Sequence, residues 1–256
     1  MGDRQPPLAS EREAQAVVIE DEQPLARLLA GYLERADFAV TTAYDGPSGL
    51  TAVLKADPEV VVLDLGLPGM DGIEVCRRIR EFSDCFIVML TARAEEGDTL
   101  LGLSVGADTY MTKPFSPREL VARIDALRRR AQLTTTNAGA AAEASPNAAE
   151  TADQPLAWGA LRLDVDGREV RFGDNPVDLT RTEFDILKVL VQAPARVFTR
   201  ADMLHQVWGP GWVGDGHVID VHIAHIRRKL SDVGARANLI RSVRGVGYRL
   251  GGATEA

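Results

Sequence analysis

Residues 16–130 alternate between short apolar runs and longer amphipathic stretches, and this alternation restricts the fold more than any other feature of the chain. Three of the runs are apolar at every position, as in strands that are buried on both faces. Strands of this kind alternating with helices predict an α/β domain with a doubly wound, five-stranded parallel sheet. The predicted strands are Ala16–Ile19, Phe38–Ala43, Val60–Leu63, Phe86–Leu90 and Thr109–Met111.

Residues 131–154 separate this segment from the rest of the chain. They contain one leucine and no aromatic residue, so they cannot bury enough apolar surface to offset the entropy of ordering, and we predict a linker. A frayed Ala-rich helix is the alternative. Residues 1–14 are polar and are predicted to be a flexible tail, which leaves domains at 15–130 and 155–252.

Length and composition exclude several classes of protein. A chain of 256 residues is long enough for about two domains. No apolar run approaches the ~18 residues that cross a bilayer, and the N-terminus lacks the apolar core of a signal peptide. Two cysteines, Cys76 and Cys85, cannot build a disulfide framework, so we expect a cytoplasmic protein.

The chain has a net charge of −8, and this charge is unevenly distributed along the sequence. The net charge is −7 for residues 1–130 and −3 for the linker, whereas it is +2 for residues 155–256. Residues 217–249 hold seven basic and two acidic side chains. A locally basic face is enough to contact phosphates, so the acidic overall balance does not exclude nucleic acid.

Polar residues follow four of the predicted strands of the first domain. Glu20 and Asp21 end the first strand, Asp64 the third, Thr91 the fourth and Lys113 the fifth. The carboxyl ends of parallel strands meet at one edge of the sheet, where ligands of such folds bind. A single aspartate at a strand end more often only caps the following turn. Five polar residues at the ends of these strands instead favour a functional site. Carboxylates suit Mg²⁺, and an aspartate can act as a nucleophile toward phosphoryl groups.

The strand ends of residues 16–130 lie within four recognisable motifs, Val18–Glu22, Leu63–Gly72, Met89–Ala92 and Tyr110–Phe115. Through these motifs the segment resembles the receiver domain of two-component response regulators. The resemblance implies that Asp64 accepts a phosphoryl group from a sensor histidine kinase, and that Mg²⁺ is held by Glu20, Asp21, Asp64 and the carbonyl of Gly66. It also implies that Thr91 and Lys113 contact the phosphoryl group, that Tyr110 is an aromatic switch, and that the Lys113–Pro114 bond is cis.

Two departures from the receiver pattern have consequences. Gly66 stands where relatives more often have a larger side chain, so we expect faster loss of the phosphoryl group. Relatives also dimerise through the fourth helix, fifth strand and fifth helix with cross-subunit ion pairs. Glu119 and Arg123 are present, but Thr99 and Thr109 replace their usual partners, which leaves an apolar contact as the alternative basis for a homodimer.

The second domain is predicted to contain short strands, three helices and a closing hairpin. The predicted strands are Trp158–Leu163, Val170–Phe172 and Val177–Leu179. The predicted helices are Arg181–Val191, Thr199–Val207 and 216–230. The closing hairpin joins Ile240–Val243 to Gly247–Leu250. Thr180 and Glu183 have the spacing of a capping box at the start of the first helix.

The helix at 216–230 has the pattern of a helix that enters the DNA major groove, with an apolar back, a polar front and basic edges. Arg244 lies at a glycine-flanked hairpin tip, where it could reach a minor groove. An amphipathic helix with merely solvated charges is the alternative. Three histidines could also indicate a metal, but their spacing without a nearby cysteine does not favour one. The candidate DNA contacts are His217, Val221, His222, Ala224, His225, Arg227, Arg228 and Arg244.

Three motifs characterise the second domain, Leu179–Leu187, Val218–Leu230 and Arg241–Leu250. Through them residues 156–250 resemble the winged-helix DNA-binding domain of the OmpR/PhoB subfamily. The resemblance implies double-stranded DNA as the partner of this domain and contact of the Trp208–Gly214 loop with RNA polymerase, although we expect Trp208 itself to lie in the core.

These features together predict a phosphorylation-switched, sequence-specific transcriptional regulator. An aspartyl-phosphate phosphatase is the enzymatic alternative, but such enzymes have a second aspartate two residues after the nucleophile, where this chain has Gly66. A second domain that binds only a protein partner is the other alternative, and the basic 217–249 stretch argues against it.

Overall fold

The computed structural model describes residues 14–91, 106–126, 155–209, 216–236 and 238–252. Several predictions therefore lie outside the described residues. They concern the N-terminal tail up to residue 13, the fourth helix of the first domain with Thr99, the linker, and residues 210–214 of the loop that follows Trp208.

The first domain is an α/β domain whose five parallel strands lie in the order β2-β1-β3-β4-β5, which confirms the predicted sheet. The strands are β1 (Ala14–Ile19), β2 (Phe38–Ala43), β3 (Val60–Asp64), β4 (Phe86–Thr91) and β5 (Thr109–Thr112). The helices are α1 (Gln23–Glu34), α2 (Gly46–Ala56), α3 (Gly72–Ile79) and α4, which covers the described residues 117–126 and corresponds to the predicted fifth helix.

The continuously apolar strands occupy the centre of this sheet. Every residue of β3 and β4 is buried, and β1 has a single half-buried position. Side chains of a strand alternate between the two faces, so a strand covered by helices on both sides needs apolar residues throughout. The prediction that these strands are buried on both faces is confirmed.

Local side-chain hydrogen bonds fix where two of the helices begin. The Asp45 carboxylate accepts a hydrogen bond from the Ser48 amide at 2.8 Å, and Asp71 accepts one from the Ile73 amide at 3.0 Å. Each aspartate satisfies an amide that has no partner within the first helical turn. Asp71 starts α3 directly after the loop that follows Asp64, and so fixes the length of that loop.

The second domain is α+β, with a four-stranded antiparallel sheet, three helices and a three-stranded sheet that ends in a hairpin. The first sheet contains β6 (Leu156–Trp158), β7 (Leu161–Asp164), β8 (Glu169–Phe172) and β9 (Asn175–Pro176). The helices are α5 (Arg181–Gln192), α6 (Arg200–Trp208) and α7 (His217–Asp232), and the second sheet contains β10 (Phe198–Thr199), β11 (Ile240–Val243) and β12 (Gly247–Leu250).

Two predicted strands of this domain are wrong. Trp158–Leu163 is not one strand, because Gly159 adopts a φ of 61° and turns the chain between β6 and β7. Residues 177–179 are not a strand either, since β8 pairs instead with Asn175–Pro176. Short apolar runs of this kind do not reveal where a tight turn divides them.

Other predictions for the second domain are confirmed. Thr180 and Glu183 form the capping box at the start of α5, with both reciprocal hydrogen bonds present. Trp208 is fully buried in the core. Within the described ranges, no helix combines the length and apolar character that crossing a bilayer requires.

Candidate functional site

A pocket of carboxylates lies at the carboxyl edge of the parallel sheet. Glu20 and Asp21 directly follow β1, and Asp64 is the last residue of β3. One carboxylate oxygen from each of the three lies within 4.8 Å of the others. Glu20 and Asp64 are buried, whereas Asp21 is exposed, so the pocket opens to solvent on the Asp21 side.

Lys113, which follows β5, supplies the cation of this pocket. Its Nζ lies 2.9 Å from Glu20 Oε2 and 3.3 Å from Asp64 Oδ2. Burial raises the pKa of Glu20, and the Lys113 hydrogen bond opposes that effect only in part. Although burial disfavours its charge, the hydrogen bond to Glu20 and the nearby Asp64 raise the pKa of Lys113. One ammonium therefore faces two buried carboxylates, a site that can accept additional positive charge.

The other receiver positions lie at this edge or on β5 beside it. Thr91 ends β4 and is buried, and Tyr110 lies half-buried on β5. The Lys113–Pro114 peptide bond is cis, as the resemblance implied. A Cβ atom on Gly66 would lie 3.3 Å from Asp64 Oδ2, so any larger side chain there would lie against the Asp64 carboxylate.

Gly72 shows how closely the backbone packs around Asp64. A Cβ atom at Gly72 would lie 2.3 Å from the carbonyl oxygen of Asp64 and 2.8 Å from the Cα of Leu65. These contacts are with backbone that cannot rotate away, so a side chain at this position would displace the residues that follow β3. Glycine at the start of α3 thus allows the loop after Asp64 to close.

The apolar back of α7 packs into the second domain as predicted. Its four apolar residues at helical spacing, Ile219, Ile223, Ile226 and Leu230, are all buried. Arg200 Nε and Tyr248 Oη both donate hydrogen bonds to Asp220, at 2.8 and 2.7 Å. These bonds connect α7 to α6 and to the closing hairpin, so the helix is held in a fixed position on its domain.

The candidate DNA contacts divide into three groups by exposure. His217, Ala224 and Arg228 on α7 and Arg244 at the hairpin turn are exposed at the surface of the domain. Val221 and Arg227 are half-buried, and Arg227 donates hydrogen bonds to the Ile240 carbonyl and the Ser242 hydroxyl. His222 and His225 are buried.

Burial of the two histidines arises from contacts that the helical pattern does not reveal. His222 Nε2 lies 3.4 Å from the carbonyl oxygen of Asp108 in the first domain. His225 Nδ1 lies 3.4 Å from Glu183 Oε1 on α5. The first domain therefore contacts the same helix that carries the candidate DNA contacts.

A second contact between the domains involves Arg181 at the start of α5. Its Nε lies 3.1 Å from Asp84 Oδ2, and its guanidinium lies over the ring of Phe86 at 5.5 Å. Asp84 and Asp108, the acidic side chains of these two contacts, were not among the predicted functional residues. Neither belongs to a motif, and no pattern along the chain signals contact between separate domains.

Glu183 has a larger role than the capping box alone. Its Oε2 accepts hydrogen bonds from the Thr180 amide at 2.9 Å and from Lys229 Nζ at 2.8 Å. Despite burial, the interactions with His225 and Lys229 hold the pKa of Glu183 at about 2. Burial lowers the pKa of His222, which favours the neutral imidazole.

Comparisons with known proteins assign a family to each of the two domains. Residues 16–125 match the family described as response regulator receiver domain, and residues 174–250 match transcriptional regulatory protein, C terminal. The chain is 39% identical to the sensory transduction protein RegX3 of Mycolicibacterium smegmatis, over 92% of this chain and 98% of the relative. It is 40% identical to the alkaline phosphatase synthesis transcriptional regulatory protein PhoP of Bacillus subtilis, over 91% and 95%.

A solved structure has a similar fold over both domains. A RitR mutant in which serine replaces a cysteine superimposes with a TM-score of 0.72 at 26% identity, covering 93% of this chain and 99% of that one. A receiver domain implies a histidine kinase as partner, and the C-terminal domain implies DNA binding. The chain belongs to the OmpR/PhoB family of two-component response regulators, which are DNA-binding transcriptional regulators rather than enzymes.

Proposed function

We propose that Asp64 is the residue that a sensor histidine kinase phosphorylates, and that this modification controls DNA binding by α7 and the closing hairpin. The observation that carries the proposal is the grouping of Glu20, Asp21 and Asp64 within 4.8 Å of one another, with the Lys113 ammonium against Glu20 and Asp64. Asp64 is central in this group and ends the middle strand of the sheet.

The donor set of the pocket suits Mg²⁺. Receiver domains generally use this ion for phosphorylation, and hard carboxylate oxygens are its preferred protein ligands. Glu20, Asp21, Asp64 and the Gly66 carbonyl would hold it, and the bound ion would neutralise negative charge on the entering phosphoryl group. The exposed Asp21 leaves the solvent side of the pocket accessible to a phosphodonor.

The remaining pocket residues have separate tasks in this proposal. The Asp64 carboxylate attacks the phosphorus, and the bond between phosphorus and the donor's leaving group breaks. Lys113, freed from part of its pairing with Asp64, donates to a phosphoryl oxygen, and the Thr91 hydroxyl donates to another. Movement of Thr91 toward the phosphoryl group vacates space behind it, into which the half-buried Tyr110 ring turns.

For the second domain we propose contact with double-stranded DNA through the accessible residues of α7 and the hairpin. His217, Ala224 and Arg228 would face the major groove, and Arg244 the minor groove. The half-buried Val221 and Arg227 would also contribute to this DNA-contacting surface. Both remaining histidines are buried. His222, whose Nε2 faces the Asp108 carbonyl, could join this surface only after α7 separates from the first domain, whereas His225 also lies against Glu183 of its own domain.

Further parts of the proposal concern assembly and location. The protein would act in the cytoplasm, contact RNA polymerase through the loop after Trp208, and bind repeated half-sites as a homodimer. Arg123 binds within its own chain, to the Tyr110 carbonyl at 3.0 Å and Glu119 at 2.8 Å. This pairing favours an apolar dimer contact over cross-subunit ion pairs.

Labelling by a small phosphodonor tests the acceptor. The wild-type chain, Asp64→Asn and Asp45→Asn are incubated with acetyl phosphate and Mg²⁺ and resolved on a phosphate-retarding gel. Asp45→Asn is the matched control, because asparagine also caps a helix and Asp45 lies on a different turn of the domain. We expect retardation of the wild type and of Asp45→Asn, and none for Asp64→Asn. A retarded band in Asp64→Asn would place the acceptor elsewhere.

A further inference from the structure

Three side chains of the second domain form a cluster that the proposed function does not use. Glu183 from α5 and His222 and His225 from α7 each place one potential ligand atom within 4.8 Å of the others. They are 1%, 1% and 7% exposed. The spacing of three residues puts both imidazoles on the same side of α7. Two imidazoles and a carboxylate are a donor set that zinc ions bind in proteins.

The hydrogen bonding of His222 leaves one ring nitrogen available. Its Nε2 faces the Asp108 carbonyl, which can only accept, so Nε2 carries the proton. Nδ1 therefore holds a lone pair, and it is buried with no hydrogen-bond partner in the described part of the chain. An imidazole that donates one N–H to a backbone carbonyl and offers its other nitrogen is the usual state of a metal-bound histidine.

Glu183 also has one oxygen left for a ligand role. Thr180 and Lys229 both donate to Oε2, whereas Oε1 faces only His225 Nδ1, at 3.4 Å, among the hydrogen bonds and ion pairs of the described residues. Two ligands about 2.0–2.1 Å from a tetrahedral ion are separated by ~3.3 Å, so this distance fits a shared metal. A hydrogen-bonded Glu–His pair would explain the distance equally well, but it leaves the His222 lone pair without a function.

We propose that Glu183, His222 and His225 bind a divalent ion of the zinc class, with solvent as the remaining ligand. Imidazole ligands favour zinc, cobalt and nickel over magnesium, so this site would be chemically distinct from the carboxylate pocket at Asp64. A cleft of about 790 Å³ between the domains is lined by Glu183, His225 and Lys229, which gives the ion a path from solvent.

Occupancy of this site would act on the contact between the domains. A metal on Nδ1 fixes the proton on Nε2 and polarises that N–H toward the Asp108 carbonyl. The ion would thereby stabilise the arrangement in which the first domain covers part of α7. This consequence rests on the proposed DNA-contacting role of α7, whereas binding of the ion does not.

Cobalt titration of the full, chelator-treated chain in excess Mg²⁺ tests the site. We expect one equivalent of Co²⁺ to give the strong visible absorption of a four- or five-coordinate nitrogen site, and Zn²⁺ to displace it. His222→Gln and His225→Gln should each weaken binding at least tenfold. His217→Gln is the matched control, since the His217 side chain lies on the same helix but is 61% exposed, and it should bind as the wild type does.

Anomalous scattering from zinc-soaked crystals of the wild type provides a test that needs no variant. A zinc peak between Glu183, His222 and His225 supports the proposal. A peak found only at Glu20, Asp21 and Asp64 overturns it, as does a cobalt affinity that is the same in the wild type, His222→Gln and His225→Gln. None of these results depends on phosphorylation of Asp64, so failure of this site and failure of the proposed function are distinguishable.

Discussion

Replacing Arg80 with methionine should destabilise the first domain far more than replacing Arg78, although both arginines lie 2.7 Å from a carboxylate. The Arg80 and Asp108 side chains are 11% and 1% exposed, whereas those of Arg78 and Glu74 are 46% and 32% exposed. Removing one partner of a buried pair leaves a desolvated charge and costs about 3–5 kcal/mol. Water and Arg77 still surround Glu74 when Arg78 is lost, so little changes there.

Differential scanning calorimetry of the full chain measures this difference. For a domain of this size, the predicted loss lowers the melting temperature of the first domain by roughly 10–25 °C. Arg78→Met should melt close to the wild type. The double variant Arg80→Met/Asp108→Asn should recover part of the loss, because an uncharged amide oxygen can still accept the Ile87 amide hydrogen bond. Equal melting of the two single variants, or no recovery in the double variant, would refute the reasoning.

Three further predictions concern the Asp64 pocket, the closing hairpin and the buried Glu183. Gly66→Met should slow loss of the phosphoryl group, because its side chain would lie against Asp64 Oδ2 and exclude water; an unchanged dephosphorylation rate in a phosphate-release assay contradicts this. Arg244→Ala should weaken DNA binding, measured by fluorescence anisotropy, without changing the melting temperature, because Arg244 is exposed at a turn; unchanged affinity removes the hairpin from the interface. Because the pKa of Glu183 is lowered to about 2, its carboxylate stabilises the fold at pH values above its ordinary pKa of 4.5, and this contribution is lost as the pH falls toward 2. Glu183→Gln should therefore lose much of the pH dependence of the free energy of unfolding, measured with urea; a pH profile identical to that of the wild type would contradict this.

The parallel sheet was predictable from the chain because β1, β3 and β4 each contain a run that is apolar at every position, Ala16–Ile19, Val60–Leu63 and Phe86–Leu90. Burial on both faces favours apolar residues along these runs, and the polar residues come at the strand ends. The carboxylate pocket was predictable for a related reason. Residues at the carboxyl ends of parallel strands, or directly after them, converge at one edge, and Glu20, Asp64 and Lys113 are all in such positions.

The turn between β6 and β7 shows where a local pattern is insufficient. Trp158–Leu163 is mostly apolar, and nothing in its composition reveals that Gly159 adopts a positive φ and reverses the chain. The pairing of β8 with Asn175–Pro176 is a similar case, since it depends on the turn at Gly173. Short strands are set by turn geometry more than by hydrophobic period.

The burial of His222 and His225 could not be inferred from the helix alone. Helical spacing separates an apolar face from a polar face, but it does not show that Asp108 of another domain contacts the polar one. Glu183 was recognisable as a capping residue from its distance to Thr180. Its approach to His225 joins residues that are far apart in the chain and required the packing of α5 on α7.

The central claim is that a covalent change at Asp64 alters DNA binding by the second domain. It is tested most directly by measuring the affinity of the full chain for a duplex selected from a random pool, with and without acetyl phosphate and Mg²⁺, at fixed salt. Tighter binding after phosphodonor treatment is predicted for the wild type and no change for Asp64→Asn. Equal affinity of the treated and untreated wild type, or the same gain in Asp64→Asn, would contradict the account.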